Sequence, residues 1–348
     1  MMRALKILAA VVVGLALFIG AYLLANSGVA AKPQDIVRVA REGLPPAGDE
    51  LTIVTWNLGY AGLGAGSDFA VDGGKHYFPP SREAVLANAA GIASFLETQS
   101  DADVILLEEL AHGGPINRWV NLKQRVDAAL ADRDQLYFAD FKTRFLPWPL
   151  HMSHGQGIYA RRAIEGADVI ALPAENSGIL GVRRRYASLV SRLPIEGQDG
   201  GWTVASVHLA AFDEDAAVRT HQLRELMAWA QQEYASGRHV VIGGDWNLRL
   251  VDTNFPSTTE QQYLFWVFPF PMDALPEGWR IAADAGAPSV RTNERAYIRG
   301  ENYRTVIDGF IVSPNVSVEE IHGIDLDFQN SDHNPVRVRV RAIPGANP

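Results

Sequence analysis

The feature that most limits how this chain folds is a repeated one: short apolar, β-branched runs bounded by turn residues, most meeting an acid, an amide or an imidazole at one end. Residues 51–55 lead into Trp56 and Asn57, 104–107 lead into Glu108 and Glu109, and 203–208 end on His208. Residues 239–242 run into Gly244-Asp245-Trp246-Asn247, 306–312 contain Asp308, and 336–340 follow Ser331-Asp332-His333. Further runs lie at 157–160 and 187–192. Runs of this kind predict strands. Between them apolar residues recur at helical spacing: Val85, Ala89, Ile92 and Leu96 in 82–97, Trp119, Leu122 and Val126 in 119–130, and Leu223, Leu226, Met227 and Ala230 in 215–234. A helix with one apolar face has to cover a sheet. The expected class is therefore α/β, with two mixed sheets packed face to face and helices outside them, a four-layer α-β-β-α sandwich.

Ahead of this region stands an unbroken apolar stretch, 7–24, preceded by Arg3 and Lys6 and followed by small residues through Ala31. Such a run reaches the lower limit for crossing a bilayer, about 17 residues, and exceeds the usual signal-peptide core. Val29-x-Ala31 also has the form that a signal peptidase reads. Residues 1–31 thus read as a signal anchor, the preferred choice, or as a cleaved signal peptide. The leading cations hold that end in the cytoplasm and put the remainder beyond the membrane, tethered there or secreted after cleavage. Residues 32–50, with Pro33, Pro45, Pro46, Gly43 and Gly48, read as a linker with a helical turn or two near 35–41. Residues 51–348 are left as one domain. Cysteine is absent, which excludes disulfides, thiolate metal sites and cysteine nucleophiles. The net charge of -9 supplies no global attraction for polyanions and counts against a nucleic-acid substrate.

Taken singly, the polar residues at the run ends have ordinary explanations. Asn57 is a turn former, Glu109 a solvated acid, Asp245 and Asn247 a helix cap or turn, and His208 and His333 structural histidines. Taken together they are what phosphoester hydrolysis requires: carboxylate and amide oxygens for a hard divalent cation, an acid or base for an attacking water, and donors for charge developing on phosphoryl oxygens. Through the segments TWN, ILLEEL, GQGIYARRAI, VHL, GGDWN, IDGFIVS and SDHNPV, in that order, the chain resembles the endonuclease/exonuclease/phosphatase superfamily and its DNase-I-like fold. The likeness spans 51–340.

That resemblance implies Glu109 as the principal ligand of Mg²⁺, with Mn²⁺ an alternative, Asn57 as support, and Asp332 joining them or holding a second metal. It implies that His333 contacts the scissile phosphate or serves as general base, with Asp308 orienting its ring. Asp245 would position or deprotonate the attacking water, Asn247 donate to a phosphate oxygen, and His208 stabilise charge from the other side. Whether Asp245 or His333 is the base stays open. Glu108 stands where many members carry Gln, so strand register decides which of two adjacent acids faces the site, and Glu109 is chosen. Gly59 stands where abasic-site endonucleases carry a further acidic ligand, which moves this chain away from that branch.

The aromatic segment 263–271, YLFWVFPFP, either packs its rings inward or forms a lip touching lipid. Arg183, Arg184 and Arg185 either edge the surface or hold an anionic group. The expected activity is metal-dependent hydrolysis of a phosphodiester or phosphomonoester, with a membrane lipid headgroup, phospholipid or sphingolipid, slightly ahead of nucleic acid. The rivals are an extracytoplasmic nuclease and an inactive anchored binding module. A monomer is expected.

Overall fold

The computed structural model describes residues 2–26, 30–174, 182–197, 200–211, 213 and 215–343. The N-terminal apolar stretch is one helix, α1 (Met2–Asn26), exposed along nearly all its length except at Asn26. Val29 of the expected cleavage signature lies outside the described residues. The following elements are β1 (Val37–Val39), β2 (Glu50–Asn57), α2 (Arg82–Thr98), β3 (Val104–Ala111), α3 (Leu122–Ala129), β4 (Asp134–Lys142), β5 (Ser153–Ala160), β6 (Gly166–Ala171), β7 (Ala187–Leu193) and β8 (Gly201–His208). Then come α4 (Ala217–Ala235), β9 (Arg238–Asp245), β10 (Arg280–Ala282), β11 (Val290–Arg291), β12 (Arg304–Thr305), β13 (Asp308–Val312), β14 (Val316–Gly323) and β15 (Val336–Ala342).

Two mixed sheets form. One is seven-stranded in the order β1-β4-β5-β3-β2-β15-β14, the other six-stranded in the order β10-β13-β9-β8-β7-β6. Each has a parallel pair near its centre, β2 with β3 and β8 with β9, and antiparallel neighbours around it. Ile53, Leu106, Ile158, Val204, Val241, Phe310 and Val338 fill the space between the sheets. On the outer face of the first sheet, Val85, Ala89, Ile92 and Leu96 of α2 and Val126 of α3 meet Val54, Trp56, Ile105 and Leu107. On the outer face of the second, Leu223, Leu226, Met227 and Ala230 of α4 meet Val207, Val240 and Ile242. The result is the four-layer sandwich expected from the alternating patterns, because each amphipathic helix closes a sheet face that would otherwise be wet.

Differences from the sequence expectation have local causes. Helix α3 starts at Leu122, where the Asn121 side chain caps it by accepting from Gln124 N at 3.1 Å. Trp119, expected on its buried face, lies outside the helix with positive φ and 41% exposure. Around 35–41 a single 3-10 turn, Pro33–Asp35, is followed by strand rather than helix. There Val37 pairs with Tyr137, and Arg38 forms an ion pair with buried Asp134 at 2.6 Å. With Ala47 bridging Ile195, the stretch 32–50 is docked on the sandwich edge.

Candidate active site

Strand register brings the second sheet's polar residues to one level. His208 pairs with Asp245 across β8 and β9, and Asp245 pairs with Asp308 across β9 and β13, so all three side chains leave the same face. Glycine makes this approach possible. A Cβ on Gly243 would lie 2.4 Å from the Phe310 ring, and one on Gly244, whose φ is +145°, 2.0 Å from Val207 O. In the first sheet Asn57 pairs with Glu108 across β2 and β3. The register then shifts between Leu107 and Leu110, and Glu109 takes φ +53°. This bulge separates the adjacent acids. Glu108 points between the sheets, where Ser206 Oγ donates to it at 2.7 Å and Thr55 Oγ1 at 3.3 Å. Glu109 lines a cavity.

That cavity, about 110 Å³, is lined by Asn57, Glu109, His208, Asp245, Asn247, Asp332 and His333, with Asp308 directly behind His333. All the site residues expected from sequence are thus gathered around one opening. The TWN and SDH segments are locked together, since Trp56 Nε1 donates to His333 O at 2.9 Å and Ser331 Oγ to Asn57 O at 2.8 Å. Asp308 accepts from His333 Nδ1 at 2.9 Å, leaving Nε2 3.8 Å from Asp245. Asp245 accepts from Asn57 Nδ2 and from Asn247 N, each at 2.9 Å. Asn247, at φ +51°, spends one amide hydrogen on Leu209 O at 3.0 Å. Arg184 donates to His208 Nδ1 at 2.8 Å and to Asp140 at 2.7 Å, and His208 Nε2 faces Asp245 at 3.5 Å.

The model of the Endonuclease/Exonuclease/phosphatase family matches residues 54–333. This chain belongs to that family. Among solved structures, an endonuclease/exonuclease/phosphatase from Beutenbergia cavernae is similar with 18% identity and a TM-score of 0.54, over 84% of this chain and 72% of that one. TDP2 from D. rerio, complexed with single strand DNA product, gives 16% identity and 0.53 over 84% and 99%. The endonuclease/exonuclease/phosphatase from Bacteroides vulgatus gives 17% and 0.52 over 84% and 99%. These likenesses carry the DNase-I-like fold. No curated protein matches the chain.

In this family member the electrostatics divide the cavity into two walls. Burial pulls the His333 pKa down, but the Asp308 and Asp245 carboxylates outweigh it and hold the imidazole well above its ordinary value, as a cation. His208 goes the other way: burial first, then the Arg184 guanidinium, push it well below its ordinary value. It is a neutral imidazole that accepts at Nδ1, which leaves its proton on Nε2, toward the cavity. Burial raises Asp245 to about 6, with the Asp308 charge adding to the rise against the pull of His333.

Opposite lie oxygens. Burial, then the charge of Asp332, raises Glu109 to about 8, and burial raises Asp72 to about 7 with Asp332 adding to it. Asn293 Nδ2 bridges Asp332 and Asp72 at 2.7 and 2.9 Å, while its Oδ1 is buried with no hydrogen-bond partner. Carboxylates in mutual repulsion, beside an unused carbonyl oxygen, form a donor set that a hard divalent cation fits. Asp245, Asp308 and His333 also each offer a ligand atom within 4.8 Å of the others, a buried Asp/His candidate for a metal. There His333 Nδ1 is already bonded to Asp308, so the oxygen wall suits a hard cation better.

Sequence reading missed Asp72, Asn293, Tyr60 and Arg291 at this cavity. They lie in turns and loops or, for Arg291, in the two-residue strand β11, all too short to show strand or helix periodicity. Arg291, buried, donates to Leu63, Gly64 and Ser67 carbonyls and so fixes the loop that delivers Asp72. A Cβ on Gly59, at φ +48°, would sit 2.6 Å from Asp332 Oδ1, so glycine here makes room for that carboxylate. Of the aromatic segment, Trp266 reaches the cavity and Phe270 the core, Tyr263 and Phe268 are half-buried, and Phe265 is exposed. Of the arginine run, Arg184 enters the cavity, Arg185 pairs with Asp35 at 2.8 Å, and Arg183 is exposed.

Proposed function

We propose that this chain is a tethered, extracytoplasmic, Mg²⁺-dependent phosphoesterase that hydrolyses a phosphodiester or phosphomonoester with activated water. The reading is supported above all by the division of one cavity into a carboxylate wall (Glu109, Asp332) and a donor wall (His333, His208, Asn247) with Asp245 between them. Glu109 and Asp332 would hold the cation with Asn57 in support; when bound, it neutralises phosphoryl oxygens and lowers the pKa of coordinated water. Asp245 is the general base. It is largely ionised at neutral pH with its pKa near 6, whereas His333 already carries its proton. The new bond joins water oxygen to phosphorus as the ester oxygen leaves on the opposite side, and the water proton passes to Asp245. His333, oriented by Asp308, presents Nε2–H to a phosphoryl oxygen, and His208 presents a neutral Nε2–H beside it.

A membrane lipid headgroup is the preferred ester, because α1 is long and apolar enough to cross a bilayer and would keep the domain beside it. Nucleic acid is the second reading: TDP2, similar in fold, is complexed with single strand DNA product. Full-length protein with Mg²⁺ should be assayed on sphingomyelin vesicles, inositol phosphates and plasmid DNA. Turnover confined to lipid is expected, and DNA nicking alone would reverse the preference. Asp245→Asn and His333→Ala should each lower turnover by about two orders of magnitude or more while leaving the fold intact. Near-normal rates in both would refute the assignment. No turnover on any ester, with no Mg²⁺ binding, would point to a binding module.

A further inference from the structure

The end of α1 is not free of the domain. Asn26, buried, accepts on Oδ1 from Arg144 N at 2.8 Å and on its carbonyl from Arg183 N at 3.0 Å. Arg144 opens the loop between β4 and β5, and Arg183 lies on the approach to β7. Both segments sit at the active-site end of the sandwich, since β3 carries Glu109 to the level where His154 of β5 pairs with Ala111, and β7 begins beside the end of β8 that carries His208. Asp140 joins the two places. It borders the small basic cavity at Asn26, with Lys142, Arg144, Arg183 and Arg185, and it also pairs with Arg184 in the catalytic cavity.

The β4–β5 loop presents apolar side chains to solvent where a soluble surface would hide them. Phe145 is 66% exposed, Trp148 79% and Leu150 55%. The exposed belt continues sideways: Trp119 Nε1 donates to Pro149 O at 2.8 Å, and the neighbouring Arg118 lies over the ring of half-exposed Phe78 at 5.8 Å. Lys142, Arg144 and Arg183 are exposed beside it. Trp and Phe next to Lys and Arg is the side-chain pairing of a bilayer interface, where rings enter the headgroup layer and cations meet phosphates. Exposed apolar area at the foot of a helix able to span a membrane has one covering that needs no further partner.

We propose that the β4–β5 loop, centred on Phe145 and Trp148, is a membrane-seating surface that rests in the bilayer interface at the exit of α1 and holds the active-site rim at headgroup level. It rests on the reading of α1 as a retained anchor. A loop seated this way fixes the domain's tilt, so the cavity samples esters at the surface rather than in bulk water, which raises their effective concentration.

The chain has no cysteine, so single cysteines can report position. Full-length Trp148→Cys, Leu17→Cys and Glu196→Cys proteins, labelled with bimane, would be reconstituted in phosphatidylcholine/phosphatidylglycerol vesicles with brominated acyl chains. Leu17 lies in α1, and Glu196 is exposed at the opposite end of the sandwich, between β7 and β8. Quenching is expected at positions 17 and 148, several-fold stronger than at 196. Quenching at 17 with position 148 no different from 196 would overturn the seating surface while leaving the anchor in place. Absence of quenching at 17 would overturn the anchor and the seating surface with it.

Discussion

Adjacent carboxylates at positions 108 and 109 have opposite fates because one residue of bulge lies between them. Glu109 turns into the cavity at φ +53°, whereas Glu108 stays in strand geometry and is sealed between the sheets. Burial raises the Glu108 pKa well above the carboxylate range, and the charges of Asp308 and Asp245 add to it, although Ser206 and Thr55 donate to the carboxylate. Glu108 is therefore held protonated, much like the Gln that the family resemblance leads one to expect there. A carboxyl whose folded pKa is raised stabilises the fold below its unfolded pKa, and that contribution is lost as pH rises through the folded value. Glu108→Gln keeps an acceptor for Ser206 and has no proton to lose. Its melting temperature should therefore fall less than the wild type's between neutral and alkaline pH. Parallel melting curves for the two proteins across that range would count against a protonated Glu108.

At the scale of elements, the site depends on how closely β8, β9 and β13 approach. The pair Gly243-Gly244 lets Phe310 cross above β9 and lets Val207 O come near its backbone, and those contacts set His208, Asp245 and Asp308 level. Gly244→Ala would place a Cβ against Val207 O at a φ of +145°, a conformation that L side chains rarely adopt. Overpacking of this kind costs about 1–3 kcal/mol. Urea unfolding should show at least that loss, and turnover should fall more steeply than stability because the strand shift moves Asp245. A variant with wild-type stability would mean that β8 and β9 tolerate more separation than their register indicates. Helix α4 is the contrasting case, since its apolar stripe on Val240 and Ile242 was readable from spacing and holds the sheet rather than the chemistry.

For the whole molecule, the cavity is a place where charge has been gathered at a cost to the fold. Glu109, with its pKa near 8, and Asp72, near 7, hold protons in the absence of a counter-ion. A divalent cation competes with those protons, so Mg²⁺ binding should release protons near neutral pH and tighten as pH rises through about 8. Bound only by the folded state, Mg²⁺ at about a hundred times its dissociation constant should add about 2.7 kcal/mol of stability. Calorimetric titration in buffers of differing ionisation heat measures the protons, and melting with Mg²⁺ or with a chelator measures the stabilisation. Binding without proton release would place the cation away from Glu109.

What the sequence by itself determined was the alternation of apolar runs and amphipathic helices, and with it the layered architecture, because burial periodicity is local and survives without knowing any partner strand. It also contained the polar residues at the run ends, among them Asn57, Asp245 and His333, since strand ends are visible where apolar character stops. Only the tertiary structure decided which acid of the Glu108-Glu109 pair enters the cavity, because a bulge depends on the register with β5. It alone brought Asp72 and Asn293 to the same opening, from segments with no periodicity to announce them, and selected Arg184 from the arginine run. The protonation of His333 and the neutrality of His208 were likewise beyond any reading of the chain, for a pKa is set by burial and by neighbours that only folding supplies.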